Sequence, residues 1–159
     1  MQVFDASSMI YAWDNYPIRQ FPGLWEWVSN QIKGKNLVIP IVAFQEVKNK
    51  IPDCATWLEM NDIHKIAISN EILQDAMRIK KLLGIVNDKY HPKGVGENDL
   101  LIIATTRSLN TDLVTEEKQL TLPKEPAKKK IPAVCAMKEV NIPCLNFIEF
   151  IKRSNEIFR

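Results

Sequence analysis

The sequence predicts an α/β fold: one domain with a central parallel sheet and helices on both faces. Three observations lead to this prediction. The chain has 159 residues, the size of a single domain. Its 46% hydrophobic and 25% charged residues are typical of a globular protein. Short apolar segments with strand character alternate with segments of helical periodicity, and no repeat, linker or second domain interrupts residues 1–159.

The first half of the chain contains three strand candidates, at 2–4, 37–39 and 65–68. Helices are predicted between them, at 22–33, 43–50 and 53–60. Pro22 stands at the start of the first helix and Gly34 lies just past its end, which are the preferred positions of these residues. Asp53 is the predicted N-cap of the third helix.

The second half begins with a clear amphipathic helix. It is predicted to start at a cap, Asn70, and to end at Gly84, with apolar residues at helical spacing, namely Ile72, Ala76, Ile79 and Leu83. The remaining elements are a loop at 87–96, a helix at 99–109, a strand at 113–114, a Lys/Pro-rich connection at 118–131, a short helix at 134–140 and a strand at 142–145. Asn146 and Glu149 have capping-box spacing for a C-terminal helix.

The cysteine pattern and the hydropathy of the sequence indicate the expected cellular compartment. Cys54, Cys135 and Cys144 form an odd set without a CxxC pair, which argues against a disulfide framework and a structural zinc site. We expect reduced thiols in the core. No apolar run approaches the roughly 20 residues that span a bilayer, and an acidic residue at position 5 is unlike a signal peptide. The protein is therefore expected to be cytoplasmic, without a membrane association.

The net charge of +2 is a weak signal when taken alone. It becomes informative if four acids share one pocket, because 21 basic residues then face 15 acidic residues on the remaining surface. A negative pocket inside a positive surface suits a polyanionic substrate that is held through bridging metal ions.

Four acidic residues occupy strand-to-helix junctions. Asp5 directly follows strand 2–4, and Glu46 lies one turn into the helix after strand 37–39. Asp99 is in the first turn of a helix that follows a Gly-rich loop, and Glu117 comes just after strand 113–114. Ligands of open parallel sheets bind beyond the carboxyl ends of the strands. Because hard cations prefer several oxygen ligands, the four acids together predict one divalent-metal site.

Other interpretations remain open for each acid. Asp5 could be a turn residue, although a carboxylate directly after a buried strand is costly unless it is paired or metal-bound. Glu46 could be exposed on its helix, and Asp99 could be a charge favoured by the helix dipole. Glu117 could belong to a solvated turn, in which case Glu116 could be the fourth acid.

Four segments carry a resemblance that covers nearly the whole chain: VFDASSMIYAW at 3–13, IVAFQEVKNK at 41–50, GENDLLIIATTRSLN at 96–110 and DLVTEEKQL at 112–120. They resemble the PIN-domain family of metal-dependent ribonucleases. PIN domains usually begin with a strand that ends in Asp-Thr-Ser or Asp-Thr-Asn, and Asp5 and Ser7 match the first and third positions. Their second acid lies in a V-x-x-E-like helix start, which Val42 to Glu46 matches with one extra residue.

The third and fourth acids of the family also have counterparts. An Asp-x-x-Ile-Ala-type helix start is matched by Asp99 to Ala104, and a Thr-x-Asp motif is matched by Thr115-Glu116-Glu117. The departures are Ala6 in place of Thr and Glu117 in place of Asp. FPGLWEWV at 21–28 and KKKIPAVC at 128–135 resemble a toxin-like, VapC-type subgroup from bacterial toxin–antitoxin pairs.

The resemblance implies an endoribonuclease, a hydrolase that depends on Mg2+ or Mn2+. Asp5, Glu46 and Asp99 would bind one or two ions, and Glu117 would bind the second ion or orient the attacking water. The hydroxyls of Ser7 and Thr115 lie beside these acids in the sequence. They could support the ligands from a second layer or act only as local caps.

Cationic residues are candidates for contacts with the RNA backbone. Arg107 is the strongest of these candidates, because it lies one helical stretch beyond Asp99. The others are Arg19 and the run of Lys128, Lys129 and Lys130. Single-stranded or looped RNA is expected rather than a duplex, since separated bases can enter a shallow acidic cleft. The resemblance extends this range to transfer RNA.

Aromatic residues near the N-terminus have two interpretations. Tyr11, Trp13 and Tyr16 could stack on bases, but Trp13 could equally pack under the helix at 22–33. The resemblance also implies a small antitoxin that binds near the acidic pocket, and a homodimer. The helix with Trp25 and Trp27 could form the dimer surface, although core packing is the favoured use of these side chains.

Two rival functions are considered. An aspartyl-nucleophile phosphatase needs a second Asp two residues after the first, and Ser7 stands there. The stronger rival is a PIN-like module that binds RNA or a protein without cutting.

Overall fold

The sheet has five strands, all parallel, in the order β3-β2-β1-β4-β5. The computed structural model describes every residue from 1 to 159. The strands are β1 (Gln2–Phe4), β2 (Leu37–Pro40), β3 (Lys65–Ile66), β4 (Asp112–Val114) and β5 (Cys144–Leu145). This architecture confirms the predicted single α/β domain with a parallel sheet.

Eight α-helices flank the sheet. They are α1 (Ala6–Asn15), α2 (Pro22–Lys33), α3 (Ile41–Lys50), α4 (Pro52–Met60), α5 (Asn70–Leu82), α6 (Glu97–Ser108), α7 (Ile131–Cys135) and α8 (Phe147–Ser154). A single 3-10 turn at Pro126–Lys128 interrupts the connection before α7. No helix is both long and apolar enough to cross a bilayer.

The core lies between the sheet and its helices. All four residues of β2 are buried, as expected for a parallel strand that is covered on both faces. Phe4 at the end of β1 contacts α8 edge-on, with ring centroids 6.2 Å from Phe147 and 4.9 Å from Phe150. This packing fixes the end of β1, from which Asp5 emerges.

The strand order reverses between β1 and β4. After β1 the chain proceeds through β2 and β3 on one side, and then crosses to β4 and β5 on the other. In open parallel sheets a ligand crevice forms beyond the carboxyl ends at such a reversal. The register pairs Phe4 with Val114, and the Asp5 amide donates to the Val114 carbonyl at 3.1 Å. Asp5 and Thr115 are therefore neighbours at the mouth of this crevice.

Helix α1 is the largest difference from the sequence-based prediction, which assigns no element to residues 6–21. The helix starts directly at Asp5, whose Oδ1 accepts a hydrogen bond from the Ser8 amide at 2.8 Å. Asp5 is thus both the residue that ends the strand and the N-cap of the next helix. The absence of any intervening loop residue hides this boundary in the sequence.

Two predicted caps and one predicted helix are wrong. The cap of α5 is Ser69, whose hydroxyl accepts from the Ile72 amide at 3.2 Å, and Asn70 is the first helical residue. Asp53 lies within the first turn of α4, where its charge is favoured by the dipole, but it caps nothing. The helix predicted at 134–140 is α7, which begins at Ile131 because Pro132 suits a first turn.

The cysteines are all unpaired, which agrees with the prediction of reduced thiols. Cys54 and Cys135 are buried in the core, whereas Cys144 on β5 is half-buried.

Candidate active site

Asp5 is a buried carboxylate without a cationic partner. Only 3% of its surface is exposed, and it forms no ion pair. The Ser7 hydroxyl donates to its two oxygens, at 2.8 and 2.9 Å, and the Ser8 amide donates to Oδ1. Burial raises the pKa of Asp5 to about 6, although hydrogen bonds from Thr115, Ser8 and Ser7 act in the opposite direction. The environment therefore disfavours the charged carboxylate in the absence of a cation.

The hydroxyls of Ser7 and Thr115 connect Asp5 to the segment after β4. Their oxygens are 3.3 Å apart. Ser7 Oγ accepts from the Glu116 amide at 3.0 Å, and Thr115 Oγ1 accepts from the Glu117 amide at 3.2 Å. Because the Ser7 proton is directed to Asp5, one hydroxyl both supports the carboxylate and fixes the backbone of the adjacent strand end. Ser7 thus contacts both Asp5 and the segment after β4, and its support of a metal ligand stays a prediction.

Asp99 and Glu46 form the second part of the site. Asp99 Oδ2 accepts from the Gly96 amide at 2.9 Å, which closes the first turn of α6. Burial raises the pKa of Asp99, and the nearby charge of Glu46 raises it further. Glu46 Oε1 in turn accepts from the Asn98 amide group at 3.1 Å. An open hollow without apolar lining lies between these side chains.

Glu117, rather than Glu116, is turned towards the other acids. Burial raises the pKa of Glu117 to about 7, and the charges of Asp99 and Asp5 contribute to the increase. Its Oε2 accepts from the Ile131 amide at 3.3 Å. Glu116 Oε1 instead accepts from the Phe147 amide at 2.7 Å, at the N-terminus of α8. Consecutive residues thus have separate roles, one at the acidic site and one at a helix end.

Two lysines lie beside the acids. The charge of Lys130 lowers the pKa of Glu117, and the charge of Lys50 lowers that of Asp99. Lys50 is four residues after Glu46 on α3, so both side chains share one face of that helix. The sequence pattern does not predict Lys50 or Asn98 as site residues. The spacing of Lys50 from Glu46 is the signal that would have identified it.

Arg107 is not brought to the acids. It follows Asp99 by eight residues on α6, a separation of about 12 Å along the axis. Its Nε pairs with Asp75 Oδ2 at 2.8 Å, and its Nη1 donates to the Val140 carbonyl. Arg107 therefore holds α5 and the segment before β5 at the amino end of the sheet.

The other cationic residues predicted to contact RNA differ in their distance from the acids. Arg19 is exposed in the connection between α1 and α2, beyond the end of α1 that is opposite Asp5. Lys128 forms an ion pair with Glu125 at 3.3 Å, and the Lys129 carbonyl accepts from the Val95 amide. Of the five candidates, only Lys130 is close enough to an acid of the site to shift its pKa.

The aromatic side chains near the N-terminus contact other aromatic rings. The Trp13 ring contacts Trp25 of α2 edge-on, with centroids 5.7 Å apart, which confirms the packing interpretation. Tyr11 and Tyr16 are half-buried and contact Phe147. These edge-on and tilted contacts do not test whether the rings stack on bases, so base stacking by Tyr11 and Tyr16 stays a prediction.

The donor chemistry of the four acids fits a hard divalent cation, because all of them offer carboxylate oxygens. The buried Asp5 and the mutual effects of the charges on the pKa values agree with a shared site. In the described conformation, however, no three His, Cys, Asp or Glu side chains are grouped closely enough to hold a metal ion. Asn98 occupies one carboxylate oxygen of Glu46, and the Ile131 amide occupies one of Glu117, which leaves the second oxygen of each available to a cation.

The fold is PIN-like. It is similar to a chain in the crystal structure of VapBC2 from Rickettsia felis bound to a DNA fragment from their promoter, with a TM-score of 0.54 and 17% sequence identity. The similarity covers 92% of this chain and 98% of that chain. The chain belongs to the family described as domain of unknown function (DUF4411), which matches residues 2–158. No curated protein matches the sequence.

Proposed function

We propose that residues 1–159 form a Mg2+- or Mn2+-dependent endoribonuclease whose site consists of Asp5, Glu46, Asp99 and Glu117. The observation that supports this function best is the buried Asp5 carboxylate at the reversal of strand order. It has no cationic partner, and its own environment raises its pKa. A carboxylate that is this costly to keep charged indicates a function that uses a bound cation.

Asp5 and Glu117 have different proposed roles in phosphodiester hydrolysis. A divalent ion, when bound, would polarise a phosphoryl oxygen and lower the pKa of a water molecule. Asp5 is held rigidly for binding by Ser7 and Ser8. Glu117 Oε2 is occupied by the Ile131 amide, which leaves Oε1 to orient the attacking water or to accept its proton. A bound cation would lower the pKa of Glu117 from the raised value of the metal-free site and so favour the carboxylate form that accepts a proton.

The biological context is proposed from similarity. VapC of the VapBC pairs is a PIN-domain toxin, and the similar solved structure is of such a complex. We extend this to a cytoplasmic, VapC-type toxin that cuts single-stranded or looped RNA, with transfer RNA within that range. A small antitoxin would bind near the acidic pocket. Homodimerisation through α2 has less support, because Trp25 is buried and Trp27 packs on Phe150 and Phe158.

The first test is metal-dependent cleavage. Purified protein should degrade single-stranded RNA in the presence of Mg2+ or Mn2+, and not with EDTA. Asp5→Asn and Asp99→Asn should each reduce the rate by roughly 100-fold or more, because each removes a metal-binding charge. Asp62→Asn is the matched control: Asp62 is exposed, and its positive φ of 61° suits Asn equally well. Equal cleavage by the double variant Asp5→Asn/Asp99→Asn would contradict the assignment.

Toxin activity requires a separate test. Expression of the wild-type protein should arrest bacterial growth, and the Asp5→Asn variant should relieve the arrest. Normal growth during expression of an active nuclease would contradict the toxin role without affecting the nuclease assignment.

The second candidate is a PIN-like module that binds RNA or a protein without cutting. One observation favours it, namely that the acids are not gathered into a three-ligand group in this conformation. Calorimetric titration with Mn2+ separates the two functions when it is combined with the cleavage assay. Metal binding without cleavage of any RNA supports the binding module, whereas cleavage that depends on Asp5 and Asp99 excludes it.

A further inference from the structure

The loop from Lys118 to Lys130 starts and ends at the candidate active site. It leaves directly after Glu117 and returns at Ile131, whose amide binds the Glu117 carboxylate. Its two ends are fastened to each other, because the Lys130 amide donates to Gln119 Oε1 at 2.7 Å. We call these fastened ends the neck of the loop, and residues 120–125 its tip.

The neck is also packed against the loop before α6. The Val95 amide donates to the Lys129 carbonyl at 3.0 Å. A Cβ at Gly94 would lie 1.9 Å from the Ala127 carbonyl oxygen, so the two backbones approach closely only because Gly94 has no side chain. The neck is therefore held in a defined position next to Asp99 and Glu117.

The tip displays two apolar side chains. Leu120 is 92% exposed and Leu122 is 69% exposed. A single exposed leucine on a protein surface needs no explanation. Two of them on one anchored tip, a few residues from a polar site, indicate a surface that is available for contact with a ligand.

The charge of the loop identifies the kind of ligand. Residues 118–130 contain five lysines and a single acid, Glu125. Glu125 pairs with Lys128, whereas Lys118 and Lys124 are exposed and form no ion pair. A lysine-rich loop that begins and ends beside acidic residues complements a polyanionic chain, with its phosphates on the lysines and one phosphodiester at the acids.

We propose that the 118–130 loop is the element that holds single-stranded RNA across the acidic site, with Lys118 and Lys124 contacting phosphates and Leu120 and Leu122 contacting unstacked bases. This inference rests on the proposed nuclease function and names the part of the chain that positions its substrate. Apolar side chains, including leucine, insert between bases in other nucleic-acid complexes. A duplex offers no such bases without unstacking, so the loop selects single strands.

RNA is favoured over a protein partner by the combination of contacts. A protein partner would be expected to cover the leucines and to pair the lysines with carboxylates. However, the acidic residues Glu117, Asp99 and Asp5 lie at the base of the same loop and would repel an acidic protein surface as it approached. A nucleic-acid strand avoids this conflict when a divalent ion bridges its phosphate to the acids.

The leucine contacts are tested by fluorescence anisotropy with a labelled single-stranded RNA in the presence of Ca2+, which binds oxygen ligands and can bridge phosphate and acids in place of Mg2+. The RNA is checked on a gel to be intact after each titration. Leu120→Ser/Leu122→Ser should weaken the affinity by about tenfold, because two apolar contacts with bases are lost. Met60→Ser is the matched control, since Met60 is 76% exposed on α4 and lies outside the loop. An affinity within about twofold of wild type would overturn the proposal.

The lysine contacts are tested by the salt dependence of RNA binding. A plot of the logarithm of the affinity against the logarithm of the salt concentration has a negative slope. In Lys118→Gln/Lys124→Gln, the magnitude of this slope should decrease by roughly 0.7 for each lost phosphate contact. The leucine variant should keep the wild-type slope. Lys33→Gln/Lys152→Gln is the control, because these exposed lysines are in the last turns of α2 and α8. An unchanged slope in the loop variant would overturn the role of the two lysines.

These measurements are independent of catalysis. If wild-type protein binds RNA through the loop but never cleaves it, the proposed function fails and the loop assignment stands. If it cleaves RNA with Mn2+ while both loop variants bind RNA as tightly as the wild type, the nuclease stands and the loop assignment fails.

Discussion

At the residue scale, the local sequence pattern indicates the positions of some acids of the candidate site but not of others. Asp5 and Asp99 are candidates from the sequence because one follows an apolar strand and the other lies in the first turn of a helix, and the structure places them at those positions. The choice between Glu116 and Glu117 depends on the N-terminus of α8, which attracts Glu116 from thirty-one residues along the chain. No local pattern contains that contact. Arg107 misleads for a related reason, since two turns of helix take it away from Asp99.

Asp5 should make the metal-free protein less stable. Its pKa in the folded state, about 6, is above the ordinary value of 3.8, so the folded state binds the proton more tightly. The resulting stability is present below about pH 4 and is lost as the pH rises through about 6. At neutral pH the cost approaches about 3 kcal/mol.

Asp5→Asn removes that cost and should raise the free energy of unfolding at neutral pH by about 1 to 3 kcal/mol, the lower value allowing for the altered bond to Ser7. Urea denaturation in EDTA measures this effect, and the decline in stability of the wild type between about pH 4 and about pH 6 should become shallower in the variant. Asp62→Asn should leave both quantities unchanged. A variant that is less stable than wild type at neutral pH would contradict this account.

At the element scale, most helices and strands follow from the sequence, and the exceptions have physical causes. The five strands are short, and each contains at least one apolar residue within an apolar stretch of the sequence, so their approximate positions are predictable. Helix α1 is missed because Asp5 serves two elements at once. The anchoring of the 118–130 loop is missed because it depends on Gly94, whose close contact with Ala127 joins segments more than thirty residues apart. A glycine in a loop does not reveal which backbone it will approach.

Gly94→Ala tests the anchoring of the loop. The added Cβ would overlap the Ala127 carbonyl oxygen, so the neck must move. We expect a loss of roughly 1 to 3 kcal/mol in the free energy of unfolding. The affinity for single-stranded RNA should weaken as well, because the loop tip is displaced. Gly96→Ala is the comparison: a Cβ there meets nothing within 4 Å, so only the less favourable N-cap of α6 should cost stability, by less than the overlap at Gly94. Wild-type stability and RNA affinity in Gly94→Ala would contradict the prediction.

At the scale of the whole molecule, the alternation of strands and helices predicts a parallel sheet, but it does not give the strand order. The order is set by long-range packing, such as the contacts of Phe4 with Phe147 and Phe150. That order places the carboxyl ends of β1 and β4 side by side, and thereby Asp5 next to the segment of Glu117. The placement of Asp5 beside the segment of Glu117 is thus a property of topology, whereas the acids themselves are candidates that the sequence alone suggests.

The fastened neck of the 118–130 loop has a consequence for proteolysis. Trypsin should cut after the exposed Lys124 in the tip, while the neck and the pairing of β5 with β4 hold the two parts together. The fragments 1–124 and 125–159 should therefore co-elute in gel filtration and keep the circular dichroism of the intact chain. Separation of the fragments after cutting would contradict this expectation. If they stay together, the protein is a candidate for assembly from two separately produced parts. The 1–124 part contains all four acids, and the 125–159 part contains the last strand, β5.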